Sequence, residues 1–269
     1  MKFVLFSDIH EHAVFSARAL LDKRLFGLIN SSFCRHGSYR MERIGDAVST
    51  ILNSLRPDLV IFAGDAVSTS DPREFESALN RLRPLIDSGL PILYSPGNHD
   101  RYVRDRACRE AFEHFRAELT KHCPMTWPGL YETPELRFAV IDCARPFNPV
   151  LSCGKMTPET TAFLENEAAK DDPRPLVCVG HFPLRGNDSL SSFRHRLIGG
   201  ERAEALLNEE KIALSVAGHV HVPSQTLDAR GYGEIVAGSL TKKDILREIT
   251  FADGVFTVRD LTSSGQPRS

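Results

Sequence analysis

Residues 91–100 read Pro91-Ile92-Leu93-Tyr94-Ser95-Pro96-Gly97-Asn98-His99-Asp100. A short apolar run ends at a Pro-Gly turn and is followed at once by an amide, an imidazole and a carboxylate. Four further stretches repeat the arrangement. Residues 3–6 lead into Asp8-Ile9-His10, 59–63 into Gly64-Asp65, 176–179 into Gly180-His181, and 214–217 into Gly218-His219-Val220-His221. Glycines 64, 97, 180 and 218 stand directly before the polar residues, where tight turns and close backbone approach are expected. Polar donors gathered at strand ends point to an open α/β sheet, whose ligands bind outside the carboxyl ends of its strands.

The rest of the chain fits that architecture. Runs at 2–7, 58–63, 91–95, 137–143, 176–180 and 212–217 are rich in Val, Ile, Leu and Phe. They lack clean alternation, as strands covered on both faces should. Helical periodicity at 42–55, 73–87, 105–121, 158–170 and 200–210 separates several of them. The last quarter differs. Segments 225–229, 233–238, 245–251 and 254–260 are short and β-rich, with turn signals at Arg230-Gly231 and Asp253-Gly254. They predict a meander of antiparallel strands that extends a second sheet. Residues 1–262 are read as one domain and residues 263–269 as a disordered tail.

Composition removes several classes. With 42% hydrophobic and 25% charged residues and a net charge of -2, the 269-residue chain reads as globular. It has no general attraction for nucleic acid, so any anionic substrate must be held by local charge. No stretch reaches the ~20 apolar residues that span a bilayer. The N-terminal apolar run, interrupted by Asp8, is too short for a signal peptide. Six cysteines form no CxxC pair, and a reduced, cytoplasmic protein is the simplest reading.

The five polar stretches hold three carboxylates, one amide oxygen and five imidazoles. Hard oxygens mixed with imidazoles suit Mn, Fe, Zn or Co rather than an all-oxygen Ca site or an all-thiolate Zn site. In this order the motifs resemble those of the calcineurin-like metallophosphoesterases, from Asp8 to His221. The resemblance implies a four-layer α/β/β/α sandwich of two mixed β-sheets flanked by helices. It also implies two divalent transition metal ions, Mn ahead of Fe, Zn or Co. By the same resemblance Asp8, His10 and His221 bind the first metal, Asn98, His181 and His219 the second, and Asp65 bridges both. A hydroxide shared by the metals would attack phosphorus. His99 would protonate the leaving oxygen, and Asp100 is assigned to the catalytic group as a residue that orients a neighbour. His219 and His221 lie two apart, so a turn must aim one of them at the other metal. His12 is read as a solvated loop residue.

Two features concern substrate. Residues 15–43 carry an apolar stripe (Leu21, Leu25, Leu28, Ile29, Phe33) and six basic residues against two acidic ones. A helix packed on the domain with its basic face in water comes first, and a cap touching an anionic membrane or an acyl chain second. The segment loosely resembles one near the start of bacterial enzymes that cleave UDP-2,3-diacylglucosamine. Arg185, Arg194 and Arg196, around His195, are read first as a solvated loop and second as a lid over phosphate. The expected activity is hydrolysis of a phosphodiester or pyrophosphate bond, with a lipid-linked or nucleotide-sugar substrate first. A cyclic nucleotide or a phosphomonoester is the alternative. A metal-free scaffold is the non-enzyme alternative, and the intact motif set argues against it.

Overall fold

Within β1 (Lys2–Phe6) the side chains divide between two cores, Phe3 and Leu5 in one, Val4 and Phe6 in the other. A strand is buried this way when a sheet covers one face and helices cover the other. The computed structural model describes residues 1–12, 39–146, 152–186 and 196–268.

The first sheet joins β1 to β2 (Leu59–Phe62), β3 (Ile92–Tyr94), β12 (Leu246–Ala252) and β13 (Val255–Leu261), in the order β13-β12-β1-β2-β3. The second contains β4 (Gly129–Glu132), β5 (Arg137–Val140), β7 (Leu176–Val179), β9 (Leu214–Ala217), β10 (Ser224–Leu227) and β11 (Gly233–Val236). Its order is β10-β11-β9-β7-β5-β4. A short parallel pair, β6 (Gly154–Lys155) with β8 (Leu197–Ile198), lies apart.

Between the sheets pack Phe3, Leu5, Ile61, Phe138, Val140, Val179 and Val216, with Phe3 and Phe138 edge to face at 5.6 Å. The outer face of the first sheet, Val4, Phe6, Val60 and Phe62, meets three helices. These are α1 (Glu42–Thr50, continued by a π-turn over Ile51–Leu55), α2 (Pro72–Asp87) and α3 (Arg106–Leu119). The outer face of the second sheet packs Ala139 and Cys178 against Leu164 of α4 (Pro158–Ala168) and Leu206 of α5 (Glu201–Asn208). The result is the four-layer sandwich that the motifs imply.

Two expectations are corrected. The C-terminal strands do not form one meander on one sheet. β10 and β11 extend the second sheet beside β9, whereas the β12–β13 hairpin pairs with β1 in the first. A short helix, α6 (Leu240–Lys243), connects the two groups. Ile249 and Phe251 of β12 thereby fill the space between the sheets. Residues 263–268 are not a loose tail either, and Ser269 lies outside the described residues. Ser263 is buried, its N–H donates to Asp244 Oδ1 at 2.8 Å and its carbonyl accepts the Thr50 hydroxyl at 2.7 Å. Arg268 N–H then returns to the Asp260 carbonyl at 2.9 Å.

Residues 13–38 lie outside the described residues, and with them nearly all of the basic segment read at 15–43. Among the described residues no helix is long and apolar enough to cross a membrane. Five cysteines, at 108, 123, 143, 153 and 178, are buried, and Cys34 falls outside the described residues.

Candidate metal centre

All five motif turns leave the carboxyl ends of parallel strands, β1, β2 and β3 in the first sheet and β7 and β9 in the second. The site therefore straddles the seam between the sheets. Asp8, His10, Asp65 and His221 present ligand atoms that all lie within 4.8 Å of one another, and Asp65, His181 and His219 do the same. Asp65 belongs to both groups.

Each aspartate divides its two oxygens between backbone and site. Asp65 Oδ1 accepts the His99 N–H at 2.8 Å, while Oδ2 lies 3.6 Å from His10 Nε2 and 3.5 Å from His181 Nε2. Asp8 Oδ2 accepts the Ser7 hydroxyl and the His219 N–H, leaving Oδ1 3.6 Å from His10 Nε2 and 3.3 Å from His221 Nε2. The His10 and His221 Nε2 atoms are 2.9 Å apart. His181 Nδ1 lies 2.6 Å from the Ala63 carbonyl, which only accepts, so its Nε2 is the atom that faces Asp65.

The backbone of these turns is unusual. Asp8, His10, Asp65, His219 and His221 all adopt left-handed conformations, with φ between 49° and 72°. Asp and His tolerate that region better than most residues, at a cost of ~1–2 kcal/mol each. At the last motif the left-handed turn separates two histidines that an extended strand would point the same way. His219 joins Asp65 and His181, and His221 joins Asp8 and His10. Close approach limits three of the motif glycines, and a Cβ on Gly64 would lie 2.5 Å from the Gly97 nitrogen. A Cβ on Gly97 would lie 2.1 Å from Asp65 Oδ1, and one on Gly218 2.6 Å from Ser7 Oγ. Gly180 has no such need, since its nearest neighbour would be 3.5 Å away.

The residues fit a pair of cations. Asp8 Oδ1, Asn98 Oδ1 and His181 Nε2 are buried and make no hydrogen bond. Each such group costs ~1–3 kcal/mol unless something else meets it. Burial alone would raise Asp65, yet the imidazoles of His181, His99 and His10 hold its carboxyl well below the usual carboxylate range. Burial would lower His181, and Asp65 instead pushes it up to about 9. Carboxylate, amide and imidazole donors together match Mn, Fe, Zn or Co.

His99 and Asp100 part company. His99 Nδ1 meets the Ser68 carbonyl at 2.6 Å, so it carries the proton. The ring stacks on Tyr102 with centroids 5.2 Å apart and stands edge-on to His10 at 4.9 Å. Asp100 sits behind the site and is spent on donors. Its oxygens accept N–H groups from Asp65, Ala66 and Gly97 at 2.8 Å, and the Tyr94 hydroxyl at 2.8 Å. Burial and the Asp65 charge push its carboxyl up to about 7, and those donors oppose the shift. Asp100 thus ties the turn after β2 to the turn after β3.

Other readings settle more simply. His12 is exposed, as are His114 and His122. Arg185 is bonded to Asn208 Oδ1 at 3.0 Å, while Arg194 and His195 lie outside the described residues. Sequence reasoning missed Tyr39, whose ring stands 5.3 Å from His10 and whose hydroxyl is 3.5 Å from His221 Nδ1. Nothing local marks that tyrosine. It also missed Ser239, although Gly238-Ser239 repeats the glycine-then-polar signature at a strand end.

The sequence model of the calcineurin-like phosphoesterases matches residues 1–223. The chain belongs to that family. A curated relative, a probable glycerophosphodiester phosphodiesterase GpdQ of Arcobacter nitrofigilis, is 29% identical over 180 residues, which cover 65% of this chain and 62% of the relative. The glycerophosphodiester phosphodiesterase GpdQ of Enterobacter lignolyticus is 33% identical over 147 residues, 51% of this chain and 46% of that protein. The matches thus span about half to three fifths of these relatives' lengths. Among solved structures, a dimetal phosphatase from Danio rerio superposes with a TM-score of 0.70 at 12% identity, covering 97% of this chain and 96% of that one. A purple acid phosphatase from yellow lupin gives 0.64 at 15% identity, with 99% and 52% covered. At such identities these structures speak for the fold of this calcineurin-like phosphoesterase, and that fold agrees with the one the motifs imply.

Proposed function

We propose that this chain is a two-metal phosphodiesterase whose substrates are small, soluble phosphodiesters of the glycerophosphodiester kind. The observation that carries the proposal is Asp65, whose Oδ2 faces His10 of one ligand group and His181 of the other. Asp8, His10 and His221 would hold one ion, Asn98, His181 and His219 the other, and Asp65 both. When bound, two such ions supply Lewis-acid polarisation of phosphoryl oxygens and a water acidified to near-neutral pKa.

The remaining work falls to side chains. His99 donates its Nδ1 proton to the Ser68 carbonyl, and in that tautomer Nε2 is the ring atom that would exchange a proton. Protonated there, it would donate to the departing alcohol oxygen, a contribution of ~10²–10⁴-fold. Asp100 holds the turns that carry Asp65 and His99 in register.

The substrate class rests on the names of the two curated relatives. The lipid-linked and nucleotide-sugar reading drew on residues 15–43, most of which lie outside the described residues, and gains no support here. A panel at fixed Mn²⁺ tests the choice, with glycerophosphoethanolamine, bis(p-nitrophenyl) phosphate, cyclic AMP, UDP-diacylglucosamine and simple monoesters. The glycerophosphodiester should give a kcat/KM at least tenfold above the other natural substrates. A preference for monoesters or for the lipid-linked pyrophosphate would overturn the assignment.

A further inference from the structure

The turn that carries Asp8 and His10 is held by backbone bonds on two sides. Its N–H groups go one way, to the turn after β2: Asp8 N–H to the Gly64 carbonyl, His10 N–H to Asp65 and Glu11 N–H to Ala66, at 2.9 to 3.0 Å. Its three successive carbonyls go another way, each to a side-chain hydroxyl. Ser239 donates to Asp8 O at 2.7 Å, Thr241 to Ile9 O at 2.9 Å, and Ser68 to His10 O at 3.0 Å. Ser239 and Thr241 are fully buried and belong to α6 and its cap, beyond the residues 1–223 matched by the family.

The same segment reaches the other half of the first ligand group. Ser239 N–H donates to the His221 carbonyl at 3.2 Å, and Leu240 N–H to the Ser7 carbonyl at 3.0 Å. Of the first ligand group, Ser239–Thr241 thus bonds the backbone of Asp8 and His221 directly and reaches His10 through its neighbour Ile9, and all three ligands are left-handed. No comparable bond from Ser239–Thr241 reaches His181 or His219 among the hydrogen bonds of the described residues.

We propose that Ser239 and Thr241 are positioning residues for the first metal site. Their hydroxyls hold the Asp8–His10 turn in its left-handed form, so that the site is ordered before an ion arrives. This rests on the two-metal reading of the centre. Such supporting bonds change metal affinity by ~10–100-fold when removed, and the effect should be confined to one site.

The test uses full-length protein in two single-site backgrounds, Asn98→Ala to leave the first site and His10→Ala to leave the second. Co²⁺ affinity is measured by competition with a chromophoric chelator, and thermal unfolding checks each fold. In the first-site background, Ser239→Ala with Thr241→Val should weaken Co²⁺ binding ~10–100-fold, and Ser239→Thr with Thr241→Ser should restore most of it. In the second-site background the same pair should change affinity less than threefold. Equal losses at both sites, or no loss at the first in a folded variant, would overturn the proposal. Failure of the parent chain to bind two ions would instead bring down the two-metal reading beneath it.

Discussion

The backbone N–H of His99 donates to Asp65 Oδ1 at 2.8 Å, so the proposed acid and the shared ligand are joined through the main chain. The imidazole itself takes no part in that bond. Chemistry and metal binding can therefore be separated at one residue.

His99→Asn keeps the N–H and should leave metal content unchanged. Turnover of diesters with poor leaving groups should fall ~10²–10⁴-fold, as expected for lost general-acid catalysis. With p-nitrophenolate, which leaves without protonation, the loss should shrink to about tenfold or less. Steady-state kinetics on both substrate types checks this, and equal losses would show that His99 does something other than proton donation.

The two glycines before Asn98 and His181 should respond in opposite ways. A Cβ at position 97 meets Asp65 Oδ1 at 2.1 Å, whereas one at position 180 meets nothing nearer than Ile141, at 3.5 Å. Gly97→Ala should displace Asp65 and cost most of the bound metal and activity. Gly180→Ala should keep both within about threefold, since ordinary van der Waals contact costs little. Metal analysis of the two purified variants separates these outcomes.

Glu74 gives a pH signature away from the metals. Its carboxyl caps α2 and accepts the Thr69 N–H at 2.8 Å and the Thr69 hydroxyl at 3.0 Å. Burial, only partly offset by those donors, pushes it from an ordinary 4.5 to about 7. A raised value in the folded state means that the folded chain keeps a proton the unfolded chain releases. That stability is fully present below pH 4.5 and lost as pH rises to about 7, up to ~3 kcal/mol. Relative to the parent, Glu74→Gln should therefore gain Tm between pH 5 and pH 8. Parallel Tm curves across that window would contradict the assignment.

The candidate donors that the fold brings together were legible because each declares itself locally. An apolar run, a glycine and a metal donor stand within a few residues, and the order of five such units is specific. Their supports were not legible. Ser68, Ser239 and Thr241 are generic hydroxyls, and two of them meet Asp8 and Ile9 more than 230 residues away. Asp100 is read as a residue that orients a neighbour, but its partners, the N–H groups of Asp65, Ala66 and Gly97 and the Tyr94 hydroxyl, could not be named from sequence. Strand periodicity revealed β12 and β13 but not their sheet, because burial on either sheet produces the same alternation. The polar stretch after Leu261 resembled a tail because its order depends on Thr50 and Asp244, distant in sequence.

Metal stoichiometry across the Asp65→Asn change tests the central claim most directly. Parent protein loaded with Mn²⁺ or Co²⁺ and desalted should hold two ions per chain by elemental analysis. Asp65→Asn, which weakens the one residue common to both groups, should lose affinity at both sites together. A single ion in the parent, or a variant that keeps one site at parental affinity, would contradict the shared-ligand account.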